Sequence, residues 1–279
     1  MTKRPFIAII TGSVSWSNNE LHRILTERKI ETQVFDLFNK RIRFYDIYHN
    51  SNFLINRVFP NELIPEYYSL IREISSLLDV FMQLNFTVLN PPPSYFFDIS
   101  KMRTFLQLMK FKVPLPKFRI YENNDSFSEL SFPIIIKPNC SGKGYLTQIA
   151  ENKKDAAHFI SNNISKLQPD NFFIIQEYVK SKEPTILRVE KFGDFFTVLK
   201  ISSKPRKNTP EKQIILREYP NELIDIAQMT FNCTNINLGS VDIIVGADNQ
   251  YYVLDINPTS RFEKEDIELF NFNPMEVYA

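Results

Sequence analysis

Three stretches place polar residues where a buried apolar run ends, and each suits a different piece of chemistry. The first joins Val241-Asp242 to Leu254-Asp255-Ile256-Asn257. A four-residue loop at 247–250 between antiparallel strands sets Asp242 opposite Asp255 and Ser240 opposite Asn257. Directly opposed residues hold their Cβ atoms ~4.5–5.5 Å apart, where like charges destabilise the pair unless something neutralises them. Asn257, two residues beyond Asp255, shares its face, while Val241, Ile243, Val245, Tyr252, Leu254 and Ile256 form a core-facing stripe on the other. Two carboxylates and an amide oxygen suit a hard cation such as Mg²⁺, whose remaining ligands are waters and phosphate oxygens. A solvent-facing polar strand is the alternative.

The second stretch is the apolar run 132–136 ending in Lys137-Pro138 and followed by Asn139-Cys140-Ser141-Gly142-Lys143-Gly144. The chain has only 6 glycines against 17 prolines, so two glycines separated by one residue need a reason. Gly142 and Gly144 let backbone N–H groups approach an anion closely, and Lys137 offers a point charge to a phosphate. The pattern is not a Walker loop, in which GK[ST] opens a helix, because 145–149 reads as a strand. A plain hairpin turn is the alternative here. In the third stretch, Gln176-Glu177-Tyr178-Val179 closes another apolar run, with Glu183 shortly after. Apolar walls with polar groups at a strand end can hold a flat base and its ribose.

Elements must position these groups. At 279 residues the chain is long enough for one large domain or two modest ones with a real core. Its 33 lysines and arginines balance 32 aspartates and glutamates, so bulk charge points to neither nucleic acid nor a membrane surface. No uninterrupted apolar stretch approaches a membrane span, and the apolar run behind Lys3-Arg4 is too short for a signal peptide. A cytoplasmic location is expected. Cys140 and Cys233 lack CxxC spacing, and His22, His49 and His158 lie far apart, so neither a disulfide framework nor a sequence-local zinc motif is indicated.

Strands at 6–10, 34–37, 53–55 and 87–89 alternate with helices at 18–28 and 66–85, a small α/β layer. The second helix carries Leu70, Ile71, Ile74, Leu77, Leu78, Phe81 and Met82 at spacings of three and four. Asn90-Pro91-Pro92-Pro93 ends this layer, and a boundary is placed after 93. Asp98 or Ser100 can cap a helix running to 110, with Lys101 in its first turn. The remainder reads as mostly antiparallel α+β, with strands near 133–137, 145–149, 172–176, 184–192, 195–201, 240–246 and 251–257 and helices near 153–166 and 220–231. Gly193-Asp194 suits a type II′ hairpin turn.

Taken in order, these pieces resemble the ATP-grasp superfamily, and among its branches the RimK-type carboxylate-amine ligases, which are similar to ribosomal-protein glutamate ligases. The resemblance rests on Ser100-Lys101, the 133–144 lysine strand and glycine loop, Gln176 to Val179, Arg188, Val241-Asp242, and Leu254 to Pro258, and covers about 88–262. It implies a small α/β N-terminal domain over 1–93 and a two-lobed ATP-grasp domain with antiparallel sheets, lobe 1 over 94–175 and lobe 2 over 176–279. It implies that Lys101 and Lys137 contact the nucleotide, that Ser141, Gly142, Lys143 and Gly144 fold over its phosphates, and that Gln176, Glu177, Tyr178 and Val179 hold adenine with Glu183 on ribose. Asp242, Asp255 and Asn257 would bind Mg²⁺, or Mn²⁺. The implied reaction activates a small-molecule or peptide carboxylate with ATP as an acyl phosphate, which an amine such as an amino acid attacks to give an amide, ADP and phosphate.

The basic residue such enzymes place near the end of the strand after the Gly193-Asp194 turn has Lys200 as its nearest counterpart. A two-residue turn pairs Arg188 with Leu199, so Arg188 and Lys200 point to opposite faces, and Arg188 is the one expected to face the site. Arg261 follows the metal strand on the substrate side. Lys204-Pro205-Arg206-Lys207 could add charge for an anionic substrate or be a solvated loop, and Arg57 could be substrate-side or a surface residue. The competing readings are a small-molecule kinase resembling inositol phosphate kinases and a nucleotide-binding module without catalysis.

Overall fold

The computed structural model describes residues 6–12, 15–37, 44–59, 68–142, 144–167, 170–202 and 213–279. Its first layer runs β1 (Phe6–Thr11), α1 (Trp16–Glu27), β2 (Thr32–Asp36), α2 (Phe44–Asn50), β3 (Ser51–Arg57), α3 (Tyr68–Gln83) and β4 (Thr87–Leu89). The strands form a parallel sheet in the order β2-β1-β3-β4. Parallel strands need cover on both faces. Ala8, Ile10 and Leu54 are buried with Ile74, Leu78 and Phe81 of α3, whereas Ile9 and Ile55 are buried with Leu21, Ile24 and Leu25 of α1. Met82, expected on the buried stripe of α3, is exposed, because successive i+4 steps drift off the face set by Ile74 and Leu78. Leu70 and Ile71 fall outside the described side chains.

The last strand of the first layer ends at Leu89, just before the prolines at 91–93. Pro92 opens α4 (Pro92–Ile99), where a missing N–H costs no intrahelical bond. Tyr95 enters the core of the first layer, while Phe97 enters the core beneath the last sheet, so the chain crosses position 93 inside a helix shared by both. Then α5 (Lys101–Lys110) is capped by Ser100, whose side chain accepts from the Arg103 N–H; Asp98 lies in α4 instead. A second, antiparallel sheet has the order β5-β8-β6-β7, built from β5 (Phe118–Ile120), β6 (Ile134–Pro138), β7 (Gln148–Ala150) and β8 (Phe173–Glu177), with α6 (Lys153–Asn163) against it. The strand expected from 145 starts only at Gln148. Turn bonds from Tyr145 N–H to Gly142 and from Thr147 N–H to Gly144 occupy the intervening residues.

The third sheet is antiparallel, in the order β11-β10-β9-β12-β13, from β9 (Thr185–Phe192), β10 (Phe195–Ser202), β11 (Gln213–Leu216), β12 (Leu238–Val245) and β13 (Tyr251–Asn257). One face packs on α7 (Asn221–Thr234). The other meets the first layer and the closing helices α8 (Asp266–Phe270) and α9 (Pro274–Tyr278). Gly193, at φ +62°, makes the tight β9–β10 turn that pairs Arg188 with Leu199.

Asp242 does face Asp255, and Ser240 faces Asn257. The route differs from the expected one: the hairpin closes earlier, with Gly246 N–H on the Gln250 carbonyl, and Leu254 is then an extra, bulged residue on β13. The two one-residue departures cancel before Asp255. They do not cancel for the apolar stripe, which comprises Val241, Ile243, Val253 and Ile256, leaving Tyr252 and Leu254 half-buried off the core. A bulge reverses the inward–outward alternation beyond it.

Candidate active site

The third sheet carries its polar groups in rows. Across β10, β9, β12 and β13, Leu199, Arg188, Asp242 and Asp255 are successive neighbours, and the next row is Thr197, Glu190, Ser240 and Asn257. Beyond it, Phe192 and Leu238 are buried with Ile9 and Leu21 of the first layer. Arg188 donates from Nε to Asp242 Oδ1 (2.7 Å) and from Nη2 to Oδ2 (2.9 Å). This bidentate pair neutralises one of the two opposed carboxylates.

The other carboxylate is met from the second sheet. Lys137, at the end of β6, places Nζ 3.5 Å from the carbonyl of the bulged Leu254, beside Asp255, and 4.9 Å from the ring centroid of Phe105. Burial lowers its pKa to about 8, a shift that Asp255 opposes and Lys101 reinforces. Lys101 donates from Nζ to the Ser141 carbonyl at 2.6 Å, tying the first turn of α5 to the glycine loop. Asn139 locks the same corner: its Oδ1 accepts from the Met102 N–H at 2.7 Å, and its amide group donates to Asp170. Gly144 adopts φ +70°, which glycine allows without cost. Ser141 and Gly142 are half-buried, and Lys143 lies outside the described residues.

At the end of β8, Gln176 shares the face of Lys137, opposite the core of the second sheet. It is buried, and its Nε2 has no hydrogen-bond partner. An unmet buried donor is costly, and this one sits next to Glu177, which lines the neighbouring cleft. Glu177, Tyr178 and Val179 line a cleft of about 520 Å³ together with Pro116, Lys180 and Tyr252. The Glu177 carboxylate accepts from the Ser131 N–H at 2.9 Å, and the Tyr178 N–H donates to Pro133 at 3.0 Å, so both groups have partners within the protein.

Three further expected residues are paired. Lys200 lies on the opposite face from Arg188 and bonds Glu183 at 2.5 Å near the surface, drawing the Glu183 pKa down. Arg261 pairs with Glu263 at 2.8 Å. Arg57 is neither exposed nor open to the cleft: it is buried, with Nη1 on the Ser260 carbonyl (2.9 Å), Nη2 on Ser17 Oγ (3.1 Å) and Nε on Asn18 Oδ1 (3.1 Å). The 204–207 basic run lies outside the described residues.

The structure adds three residues that the sequence reading did not single out. Glu190 is buried in the row beside Arg188 and Asp242, and among the described residues Ser260 Oγ donates to it, at 2.8 Å; burial raises its pKa to about 7. Its signal was its spacing, two residues from Arg188 on a predicted strand. Asn90 uses its whole amide: Nδ2 donates to the Leu238 and Pro258 carbonyls, and Oδ1 accepts from the Asn237 and Leu238 N–H groups. Gly239 lets β12 approach the Asn257 carbonyl so closely that a Cβ there would sit 2.4 Å from it.

The donor set fits Mg²⁺ better than a transition metal. Asp242, Asp255 and Asn257 offer two carboxylates and an amide oxygen on one face, and no cluster of three His, Cys, Asp or Glu occurs among the described residues. Such a set leaves positions for water and phosphate oxygens.

Comparison with known proteins gives this architecture a family. Residues 99–262 match the model of the ATP-grasp domain, well over half of the chain, and the chain belongs to the ATP-grasp family. The D-alanine–D-alanine ligase of Petrotoga mobilis is 26% identical over 174 residues, 55% of each chain, so the match spans about half the length of that relative. A RimK domain ATP-grasp protein from Sphaerobacter thermophilus superposes with a TM-score of 0.74 at 11% identity, covering 98% of this chain and 97% of the other. The ATP-grasp ligase PsnB, solved with a phosphomimetic variant of its minimal precursor, Mg and ADP, gives 0.73 at 17% identity, covering 98% and 96%.

Proposed function

We propose that the protein is an ATP- and Mg²⁺-dependent carboxylate-amine ligase that works in the cytoplasm. The observation that carries this reading is the meeting of two sheets at one point: the buried ammonium of Lys137 stands beside the strand bearing Asp255, which faces Asp242. A nucleotide lying between them would present phosphates to a lysine on one side and to metal-binding carboxylates on the other. In this assignment Lys101, Lys137 and the loop of Ser141, Gly142, Lys143 and Gly144 hold the phosphates. Gln176, Tyr178 and Val179 with the Glu177 backbone hold adenine, and Glu183 holds ribose. Asp242, Asp255 and Asn257 hold Mg²⁺, which when bound neutralises charge on the transferred phosphoryl group. Arg188 and Arg261 face the acyl phosphate and its substrate, whereas Lys200, on the opposite face of the sheet, stays paired with Glu183. Residues 1–93 form the substrate-side domain, 94–175 and 176–279 the two lobes.

The activities of the relatives support the same class, since one joins two D-alanines and PsnB is a ligase bound to a precursor. A small-molecule kinase acting on a polyphosphorylated substrate would need a surplus of cations, yet Arg188, Lys200 and Arg261 each already face a carboxylate. The test is ATP turnover with Mg²⁺ over pools of carboxylic acids, amino acids, peptides and polyols, with hydroxylamine as trap and mass spectrometry as readout. Hydroxamate or amide formed with ADP is the expected result. A phosphorylated polyol without hydroxamate overturns it in favour of a kinase, and nucleotide binding without any product overturns it in favour of a non-catalytic module.

A further inference from the structure

A second cavity backs onto the cleft assigned to adenine, and the nucleotide reading does not use it. It holds about 510 Å³ between the end of α5, β5 and the segment leading to β6, within the size range of small-molecule pockets. Met109, Leu115, Phe118 and Leu130 give it apolar walls, and Lys112, Lys117, Arg119 and Glu129 complete the charged part of its lining. The charges do not balance. Arg119 is paired with Glu129, the single carboxylate of the lining, whereas the ammonium groups of the exposed Lys112 and Lys117 have no anionic partner among the described residues. Apolar walls beside two uncompensated cations complement a molecule with an apolar body and an anionic end. A neutral apolar molecule would forgo the charges, and a polyphosphate would leave the apolar walls bare.

The two cavities share a wall. Leu115, Pro116 and Lys117 line this one on one side and the adenine cleft on the other. The same segment is bonded to two parts of the nucleotide site: the Glu177 N–H donates to the Lys117 carbonyl at 2.8 Å, and the Val253 N–H, on the strand that carries Asp255, donates to the Pro114 carbonyl at 2.9 Å. A ligand that displaces 115–117 therefore moves a wall of the nucleotide cleft, and a nucleotide that fixes that wall alters the second cavity. Coupling of this kind is reciprocal.

We propose that this cavity is a regulatory site for a small apolar monoanion, an aryl or medium-chain carboxylate, separate from the nucleotide and linked to it through the 115–117 wall. The link, though not the site, rests on the assignment of adenine to the neighbouring cleft.

The experiment titrates the full-length protein with 4-phenylbutyrate and with octanoate, each beside its neutral amide, which keeps the apolar body and lacks the charge. Amide chemical shifts give the site and the affinity. Shifts are expected at Met109, Lys112 and residues 117–119, with each amide binding at least ~5-fold more weakly than its acid. Lys112 has φ +57°, a backbone that aspartate also accepts, so Lys112→Asp keeps the fold. It should weaken the acids ~3- to 20-fold, while Lys154→Asp, the same charge change on the exposed side of α6, leaves them within about twofold. Saturating ATP with Mg²⁺ should leave the acid bound and change its Kd at least ~5-fold, and the acid should change the Kd of ATP by the same factor. No binding of either acid, equal affinity for acid and amide, or a Lys112→Asp variant that binds like the wild type overturns the site. Displacement of the acid by ATP places it in the nucleotide cleft and overturns the site as well. Binding of both with neither affecting the other overturns the regulatory link. A wild type that binds the acids as expected but binds no ATP overturns the nucleotide reading and leaves the site standing.

Discussion

Lys137 shows how one residue can report ligand binding. Its pKa lies near 8 because burial outweighs the attraction of Asp255, so around pH 8 about half of the free protein carries the neutral amine. Phosphate oxygens placed against Nζ favour the charged form and raise the pKa. Binding of ATP at pH 8–8.5 should therefore take up on the order of half a proton, and affinity should fall as pH rises through 8 and above. At pH 6.5 the lysine is already charged in both states and no uptake is expected. Calorimetry of ATP binding in buffers of different ionisation enthalpy measures this, and Lys137→Met should abolish the uptake. A proton count near zero at pH 8.5 in the wild type would show that the nucleotide does not reach Lys137. This residue was legible in the sequence as a lone lysine ending an apolar run. Glu190 was not picked out, because a strand reading reports that two residues share a face but not how deeply an acid on that face is buried, nor that Ser260 bonds it.

At the scale of elements, what positions the metal-side residues is an approach of backbones. Gly239 has φ +154°, and a Cβ on it would lie 2.4 Å from the Asn257 carbonyl and 3.0 Å from Pro258 Cα. Both are backbone atoms, which cannot swing aside as a side chain can. Gly239→Ala should therefore cost about 3 kcal/mol or more of stability and push Asn257 out of line with Asp255. Urea denaturation reads the first effect. The second should appear as a several-fold rise in the Mg²⁺ concentration needed for half-maximal turnover. An unchanged Mg²⁺ requirement in protein that remains folded would separate Asn257 from the metal. The strands here were readable from their alternation, and β4 and β13 fell where expected. The bulge at Leu254 was not, because a hairpin closing one residue early and an extra residue farther along leave Asp242 and Asp255 opposed either way. Only the burial of Val253 in place of Leu254 distinguishes the two registers. Similarly, α2, α8 and α9 span only seven, five and five residues, too few for a helical period to stand out.

On the scale of the whole molecule, the α/β layer is tied to the strand pair of the active site by buried polar bonds as well as by apolar contact. Asn90, at the exit of β4, holds the carbonyls of Leu238 and Pro258 on either side of Gly239 and Asn257. Arg57, at the exit of β3, holds the Ser260 carbonyl while Glu190 takes the hydroxyl of the same residue. The guanidinium also lies 5.0 Å from the ring centroids of both Phe59 and Tyr278, bringing α9 into the junction. The segment after β13 is thus fixed from the N-terminal layer and from the third sheet at once. Sequence patterning could not reveal this, since Arg57 and Ser260 lie 203 residues apart. Arg57→Met keeps an apolar stem but removes the guanidinium's three hydrogen bonds, to Ser17, Asn18 and the Ser260 carbonyl, at a cost of about 3 kcal/mol or more. If the junction is what joins the layer to the site, hydrogen exchange should rise together at β1, β3 and residues 258–262 in this variant, with β6 and β8 unaffected. Exchange rising in the first layer alone would mean that the apolar contacts of Ile9 and Leu21 with Phe192 and Leu238 hold the site segment without the arginine.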